Sequence, residues 1–110
     1  MQCVFITLGK TRNGKILKCA NCSDNIAISY NNITQSLGYQ DFYNLKIMID
    51  RLDVEAYFKK FPDEEKLHIR TDYKGLFFSF LREEIYELKM LLSEAAIKIK
   101  IYENIQNNLN

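Results

Sequence analysis

The chain has 110 residues, of which 47% are hydrophobic and 26% are charged, and its 15 Lys and Arg residues nearly balance 14 Asp and Glu residues. This length predicts a single domain over residues 1–110, and the composition is that of a globular protein rather than a disordered one. A formal net charge of +1 excludes a globally cationic protein whose main role is to bind a polyanion.

The N-terminal residues lack the features of a secretory signal. The stretch from Met1 to Leu8 has no cationic beginning, and its apolar run is short and interrupted. No segment approaches the roughly 20 apolar residues that span a bilayer. We therefore expect a cytoplasmic location, where Cys3, Cys19 and Cys22 stay reduced instead of forming disulfides.

Five short segments have the alternation and the turn signals of β-strands, arranged as one strand followed by two hairpins. In chain order they are Cys3–Leu8, Gly14–Ala20, Ile26–Tyr30, Lys66–Thr71 and Leu76–Phe80. The Asn, Asp and Gly residues between neighbouring segments favour tight turns. Alternation along each strand sends one set of side chains toward solvent and the other set toward the helices. The set expected to face the helices is Ile26, Ile28, Tyr30, Leu67, Ile69, Leu76, Phe78 and Phe80.

Two further segments have apolar residues spaced by three and four, which is the pattern of an amphipathic helix. The first stripe is Phe42, Leu45, Ile49, Leu52 and Ala56, and the second is Ile85, Leu88, Leu92, Ala95 and Ile99. The second helix is expected from Arg82 to about Gln106. Residues 96–102 also alternate, so a sixth strand is the alternative for that part of the chain.

The two helical segments resemble each other in sequence as well as in spacing. Phe42–Ile49 aligns with Ile85–Leu92 at an offset of 43 residues, with a Tyr, a Leu and a Lys in common. This predicts a duplicated ββα unit after an N-terminal strand, with halves of about 1–60 and 65–108 and a linker at residues 31–37. The expected fold is an α+β two-layer sandwich, in which an antiparallel sheet of about five strands carries two helices on one face.

A second apolar stripe lies beside the first on the second helix. It consists of Met90, Ile97, Ile101 and Ile105. A helix surface that is apolar over such a wide arc, near a chain end, favours burial against another protomer. We therefore expect a homodimer, and the alternative is that this stripe wraps the edge of its own domain.

Cys19 and Cys22 form a CxxC motif at the first predicted hairpin turn. Two thiolates at this spacing can bind one side of a tetrahedral zinc ion, and Cys3 and His68 are the candidates to complete the site. CxxC also occurs in redox centres, but those place the first Cys at a helix N-terminus, whereas a turn and a strand follow here. The simpler interpretation is that the cysteines are small apolar residues or partly exposed thiols.

One set of outward strand positions is basic and aromatic. It consists of Lys18, Lys66, His68, Arg70 and Phe77. Basic residues interleaved with aromatic ones on an open sheet can bind single-stranded nucleic acid. The balanced net charge disfavours that partner, so a protein partner or self-association explains the surface at least as well.

The sequence holds no motif of a known catalytic site. It has one His and four Gly, with no P-loop, nucleophile elbow or HExxH motif. The carboxylate runs Asp63–Glu65 and Glu83–Glu84 are expected to be solvated, the second one complementing a helix dipole. We therefore expect a protein that is not an enzyme and holds no cofactor, with zinc as the alternative.

The order of these features resembles that of a known family. The features are the CxxC in the first hairpin, the strand Ile26–Tyr30, a helix entered through Asp41-Phe42, the strand Leu67–Thr71, and Leu88–Leu92 followed by Glu94–Ala96. Over nearly the whole chain they resemble a family of small uncharacterised bacterial proteins of about this length. That family has no assigned activity, so the resemblance transfers no site, although Cys19 and Cys22 are the matching positions if its CxxC matters.

Taken with the resemblance, the sequence predicts a small binding or protein-interaction module that forms a homodimer and has no membrane partner. The alternative is a small zinc-binding protein that uses Cys19 and Cys22 and is associated with nucleic acid.

Overall fold

The computed structural model describes residues 4–20 and 25–108. Within them, the strands are β1 (Phe5–Lys10), β2 (Gly14–Cys19), β3 (Ile26–Tyr30), β4 (Ile33–Leu37), β5 (Lys66–Arg70) and β6 (Phe77–Leu81). The helices are α1 (Tyr39–Asp50), α2 (Val54–Lys60) and α3 (Arg82–Asn108). The predicted α+β class is confirmed.

The described strands form two antiparallel sheets, so the prediction of one five-stranded sheet with two helices is wrong. The first sheet has the order β1-β2-β3-β4, and the second consists of β5 and β6. The difference arises at residues 31–37, which form a tight turn and a strand instead of a linker. Asn31 has a φ of 52° and Tyr30 pairs with Ile33, as in a two-residue hairpin turn. β4 thus occupies the edge of β3.

The predicted strand faces hold for most positions of the hairpins. The side chains predicted to face the helices and found buried are Ile26, Ile28, Tyr30, Leu67, Ile69 and Phe80. Leu76 was also predicted on that face, but it is half exposed because it lies in the turn before β6.

The first predicted helix is divided into α1 and α2. Oδ1 of Asp53 accepts a hydrogen bond from the backbone nitrogen of Ala56 at 3.0 Å, so Asp53 is the N-cap of a new helix. The break rotates the following residues relative to the predicted stripe. Val54 and Phe58 are buried, whereas Ala56 is exposed.

α3 is the central element of the fold and contacts both sheets as well as α1. Residues 96–102 belong to this 27-residue helix, which is about 40 Å long at 1.5 Å per residue. All members of its predicted inner stripe are buried, namely Ile85, Leu88, Leu92, Ala95 and Ile99. In the part of the chain that is described, the first half has four strands and two helices and the second has two strands and one helix. The duplication therefore stays a prediction.

Two glycines allow α3 to lie very close to the first sheet. A Cβ atom on Gly14 would lie 2.7 Å from Cδ1 of Tyr30 and 3.1 Å from Cδ2 of Leu91. A Cβ atom on Gly9 would lie 3.2 Å from the backbone oxygen of Leu91. Because a Cβ atom at either position would push against Leu91, the two glycines permit the short distance between helix and sheet.

Glu87 is the polar anchor of α3 on this sheet. Asn13 donates to its carboxylate from the backbone nitrogen at 3.1 Å and from Nδ2 at 2.9 Å, and the hydroxyl of Tyr30 donates to Oε1 at 2.7 Å. The hydrogen bond from the Asn13 side chain, together with that from Tyr30, lowers the pKa of Glu87 to about 2. Burial, followed by the bond to Glu87, raises the pKa of Tyr30.

Glu84 fixes the start of α3 in a similar way. Its Oε1 accepts a hydrogen bond from the backbone nitrogen of Leu81 at 2.7 Å, and its Oε2 accepts one from Nδ2 of Asn31 at 2.8 Å. The first bond is the reach-back of a capping box. The Glu84 carboxylate therefore has a structural role, although the sequence predicts it only as a solvated charge.

The Glu87 anchor makes stability depend on pH. Its pKa falls from an ordinary value of 4.5 to about 2 on folding, so its stabilisation is present above pH 4.5 and is lost as the pH falls through about 2. We expect the wild type to exceed E87Q in free energy of unfolding at pH 6, and this difference to shrink between pH 4.5 and 2. Urea unfolding followed by circular dichroism measures both proteins.

The exposed Glu83 supplies the matched control, because E83Q removes the same charge four residues earlier on the same helix. E83Q is expected to track the wild type over this pH range. A difference between wild type and E87Q that stays constant down to pH 2 would contradict the role of the Glu87 carboxylate.

Candidate interaction surface

α1 and α3 lie side by side and antiparallel. Nζ of Lys89, in the first half of α3, donates to the backbone oxygen of Leu52 just after α1, at 2.8 Å. At the other end, Tyr39 at the start of α1 and Tyr102 near the end of α3 flank the same ammonium group. The two helices therefore form one layer over the first sheet.

The predicted second stripe of α3 is exposed to solvent. Its residues Met90, Ile97, Ile101 and Ile105 are between 52% and 69% exposed. At 3.6 residues per turn, these positions lie almost opposite the buried stripe, so the expectation that the second stripe lies beside the first is wrong. The stripe therefore points away from the first sheet, on the open side of the helical layer.

A groove between α1 and α3 adjoins the stripe. It has a volume of about 450 Å³, and its lining residues are Tyr43, Lys46, Ile47, Ser93, Ala96, Ile97 and Lys100. Ile47 is itself half exposed. We name Ile47, Met90, Ile97, Ile101 and Ile105 together the α1–α3 apolar face.

Lys18 does not belong to an exposed basic surface, because its side chain is only 3% exposed. Lys18 pairs with Ile26 across β2 and β3, and Ile16 pairs with Ile28. Residues that are directly opposite in an antiparallel pair share a face of the sheet. Since Ile26 and Ile28 face the helices, Lys18 does so too, and its predicted outward position is wrong.

The Lys18 ammonium group is held between two tyrosine rings. Nζ lies 5.3 Å from the ring centroid of Tyr39 and 5.4 Å from that of Tyr102, and it donates to the backbone oxygen of Cys19 at 3.2 Å. Cation–π contacts within about 6 Å stabilise a desolvated ammonium group. Lys18 therefore joins the first sheet to the ends of α1 and α3.

The four other residues of the predicted basic surface are exposed on the second sheet. They are Lys66, His68, Arg70 and Phe77. Arg70 pairs directly with Phe77 in the antiparallel ladder. Their grouping fits the sequence prediction, and their role as a binding surface stays a prediction.

His68 is part of a contact that the sequence analysis missed. Its Nδ1 lies 2.6 Å from Oγ of Ser79, and its Nε2 lies 3.7 Å from Oε2 of Glu64. The order of groups is that of a Ser-His-acid triad, but the second distance exceeds that of a hydrogen bond. The His68 and Glu64 side chains are also about half exposed, so water screens their interaction. We assign no catalytic role to this contact.

Only one of the predicted zinc ligands among the cysteines is described by the structure. Cys19 is buried at the end of β2, whereas Cys3 and Cys22 lie outside the described residues. His68 lies on the other sheet. Among residues 4–20 and 25–108, no three His, Cys, Asp or Glu residues group together as a metal site. The zinc site stays a prediction.

The burial of Lys18 predicts a structural effect for its removal. K18A deletes a packed stem and both cation–π contacts, so we expect it to lower the free energy of unfolding by about 1–3 kcal/mol. The exposed Lys66 is the matched control, and K66A should change stability by less than about 0.5 kcal/mol. Urea unfolding measures the free energy of unfolding of both variants. Equal losses of stability in K18A and K66A would contradict a structural role for the contacts of Lys18 with the two tyrosine rings.

None of the described helices is both long enough and apolar enough to cross a bilayer. Comparison with curated proteins and with solved structures finds no match. A family of unknown function, DUF6686, matches residues 1–109. This confirms the expected family without assigned activity, whereas its bacterial origin and its CxxC stay predictions. By this match over nearly its whole length, the chain belongs to the DUF6686 family of unknown function.

Proposed function

We propose that this protein is a non-enzymatic interaction module that forms a homodimer through the α1–α3 apolar face. The observation that carries the proposal is the exposure of Met90, Ile97, Ile101 and Ile105 on the side of α3 that the fold leaves uncovered. Large apolar side chains exposed along one side of a long helix favour a protein partner.

The stripe is self-complementary if two copies of α3 lie antiparallel. Met90 and Ile105 are separated by about 22 Å along the helix at 1.5 Å per residue. A two-fold axis near Ile97 places Met90 of each protomer close to Ile105 of the other, with Ile97 at the centre. This supports an isologous interface, in which the same patch serves both subunits.

The charges within the stripe favour the same orientation. Glu94 interrupts the apolar positions and lies 3.4 Å from Lys98 of its own chain. In the antiparallel arrangement, Glu94 lies within about one turn of Lys98 from the other protomer, so opposite charges approach each other. A parallel arrangement places the two Glu94 carboxylates together, which disfavours association.

α1 supplies the width that a single helix lacks. Stable interfaces bury roughly 800 Å² on each partner, and a lone helix presents a narrow ridge. Ile47 and the groove beside Ile97 extend the apolar face onto α1. Two protomers then contribute two helices each, as in a four-helix bundle, with a sheet on each outer side.

The substitution I97E tests the dimer. It places a charge at the centre of the proposed interface without removing a buried side chain, so we expect the dissociation constant to rise at least about 100-fold. Gln35 is exposed on β4, and Q35E introduces the same charge away from this face as a control.

Size-exclusion chromatography with light scattering, over a series of dilutions, measures the effect. The wild type and Q35E should show twice the 13.0 kDa mass of one chain, while I97E should be monomeric at the same concentrations. A wild type that is monomeric at every concentration would contradict the proposal, and so would an I97E variant that stays dimeric.

A further inference from the structure

The turn between β1 and β2 ends in the only Asn-Gly pair of the sequence, Asn13-Gly14. Asparagine is a thermolabile residue, and its side chain cyclises most readily when glycine follows, because glycine has no side chain to shield its backbone nitrogen. Asn13 is exposed, so water reaches the pair. The turn therefore has the chemistry of a deamidation site.

The fold requires both residues of this pair. A Cβ atom on Gly14 would lie 2.8 Å from the backbone oxygen of Ser29, so a larger residue does not fit at position 14. Asn13 donates to the Glu87 carboxylate from its backbone nitrogen at 3.1 Å and from Nδ2 at 2.9 Å. The labile pair is thus part of the contact that anchors α3 on the first sheet.

Deamidation at this turn needs only the Asn13-Gly14 pair and water. The backbone nitrogen of Gly14 attacks Cγ of Asn13, the bond between Cγ and Nδ2 breaks, and ammonia leaves with the proton of the attacking nitrogen. Water then opens the resulting succinimide ring at one of its two carbonyl carbons. The product at position 13 is an aspartate or an isoaspartate, and no group is oxidised or reduced.

The hydrogen bonds to Glu87 oppose this reaction. Cyclisation rotates the Asn13 side chain until Cγ meets the backbone nitrogen of Gly14. Nδ2, the atom that leaves, is the same atom that donates to Oε1 of Glu87. Because the two bonds to the carboxylate restrain the rotation, the rate of deamidation depends on how often the contact opens locally.

The product reverses the sign of the interaction. A carboxylate replaces the amide that donates to Glu87 at 2.9 Å, so a donor becomes a second negative charge facing the first. Glu84, one turn earlier on α3, adds a third carboxylate near this end of the sheet, where it accepts from Asn31. Like charges at this distance repel. The product therefore keeps the contact from closing again.

We propose that Asn13 is a modification site at which deamidation releases α3 from the first sheet. Opening of the contact with Glu87 starts the reaction, and charge repulsion in the product makes the opening permanent. The site is a one-way switch whose rate is set by the local stability of the α3 anchor. This inference does not rest on the proposed homodimer, because its tests change no residue of the α1–α3 apolar face.

The rate of deamidation tests the control by Glu87. Peptide mapping by mass spectrometry, after incubation of the folded protein at mildly alkaline pH, measures the conversion of Asn13. E87A removes both acceptors and should speed the conversion at least about tenfold. Y30F is the matched control, because it deletes another hydrogen bond to the same carboxylate and leaves both bonds from Asn13 in place. Equal rates in E87A and Y30F would contradict the proposal.

The stability of two variants at position 13 tests the effect of the product. N13D introduces the charge, whereas N13S removes the amide without adding one. Urea unfolding should give N13D an equilibrium constant for unfolding at least about tenfold above that of N13S. N44D adds the same charge at an exposed position of α1 and should match the wild type. Equal stability of N13D and N13S would overturn the proposal.

Partly deamidated wild-type protein provides a test that needs no variant to fold. Limited proteolysis of such a sample should cleave the deamidated chains at least about tenfold faster than the chains that keep the amide, because cleavage follows the population of opened molecules. Mass spectrometry of the surviving protein separates the two fractions. Equal cleavage of both fractions would contradict the release of α3.

Discussion

The close packing of α3 on the first sheet is the constraint on which the rest of the structure depends. Gly9 and Gly14 let Leu91 approach the strands, and Glu87 adds hydrogen bonds to Asn13 and Tyr30 at the same contact. Each residue step rotates a helix by about 100°. Once Glu87 and Leu91 are fixed against the sheet, the direction of every other α3 side chain is fixed as well.

Because of this constraint, one side of α3 is buried and the opposite side is exposed. The side with Ile85 and Leu92 fills the core, and the side with Met90 and Ile97 is exposed, with Ile97 lining the groove between α3 and α1. The exposed stripe is thus a consequence of how the helix is anchored. A rotation of α3 large enough to bury Ile97 would break the Glu87 hydrogen bonds and force Leu91 out of its contact with the glycines.

The α1–α3 apolar face, which this anchoring leaves exposed, presents side chains along one long helix. Side chains held on a rigid helix suit the association with an identical helix that we propose.

Local periodicity was enough to predict β3 and the inner stripe of α3, because one element's own spacing decides which side chains are buried. It failed where the outcome depends on pairing between elements. The face of Lys18 follows from its register with Ile26, and its burial depends on rings from both ends of the helical layer. Likewise, β4 was missed because residues 31–37 were assigned as a linker to align two proposed repeats, although Asn31-Asn32 is a turn signal.

The candidate surfaces also differ in whether the sequence alone could predict them. The outer stripe of α3 is visible in the sequence as a second helical spacing, and its burial against another protomer stays a prediction. The contact between His68 and Ser79 was not predicted, since it requires the register of β5 with β6. The zinc site was predicted from cysteine spacing. Its candidate ligands Cys19 and His68 lie on different sheets, which spacing along the chain does not show.

The most direct measurement of the central claim is disulfide cross-linking along α3, in a protein with Cys3 and Cys22 changed to Ser. If α3 pairs antiparallel about Ile97, the variant I97C forms a covalent dimer on oxidation, and M90C, about 10 Å along the helix from the axis, does not. Cross-linking of both variants would indicate a parallel pair, and cross-linking of neither would contradict the account of the α1–α3 apolar face as a self-association surface.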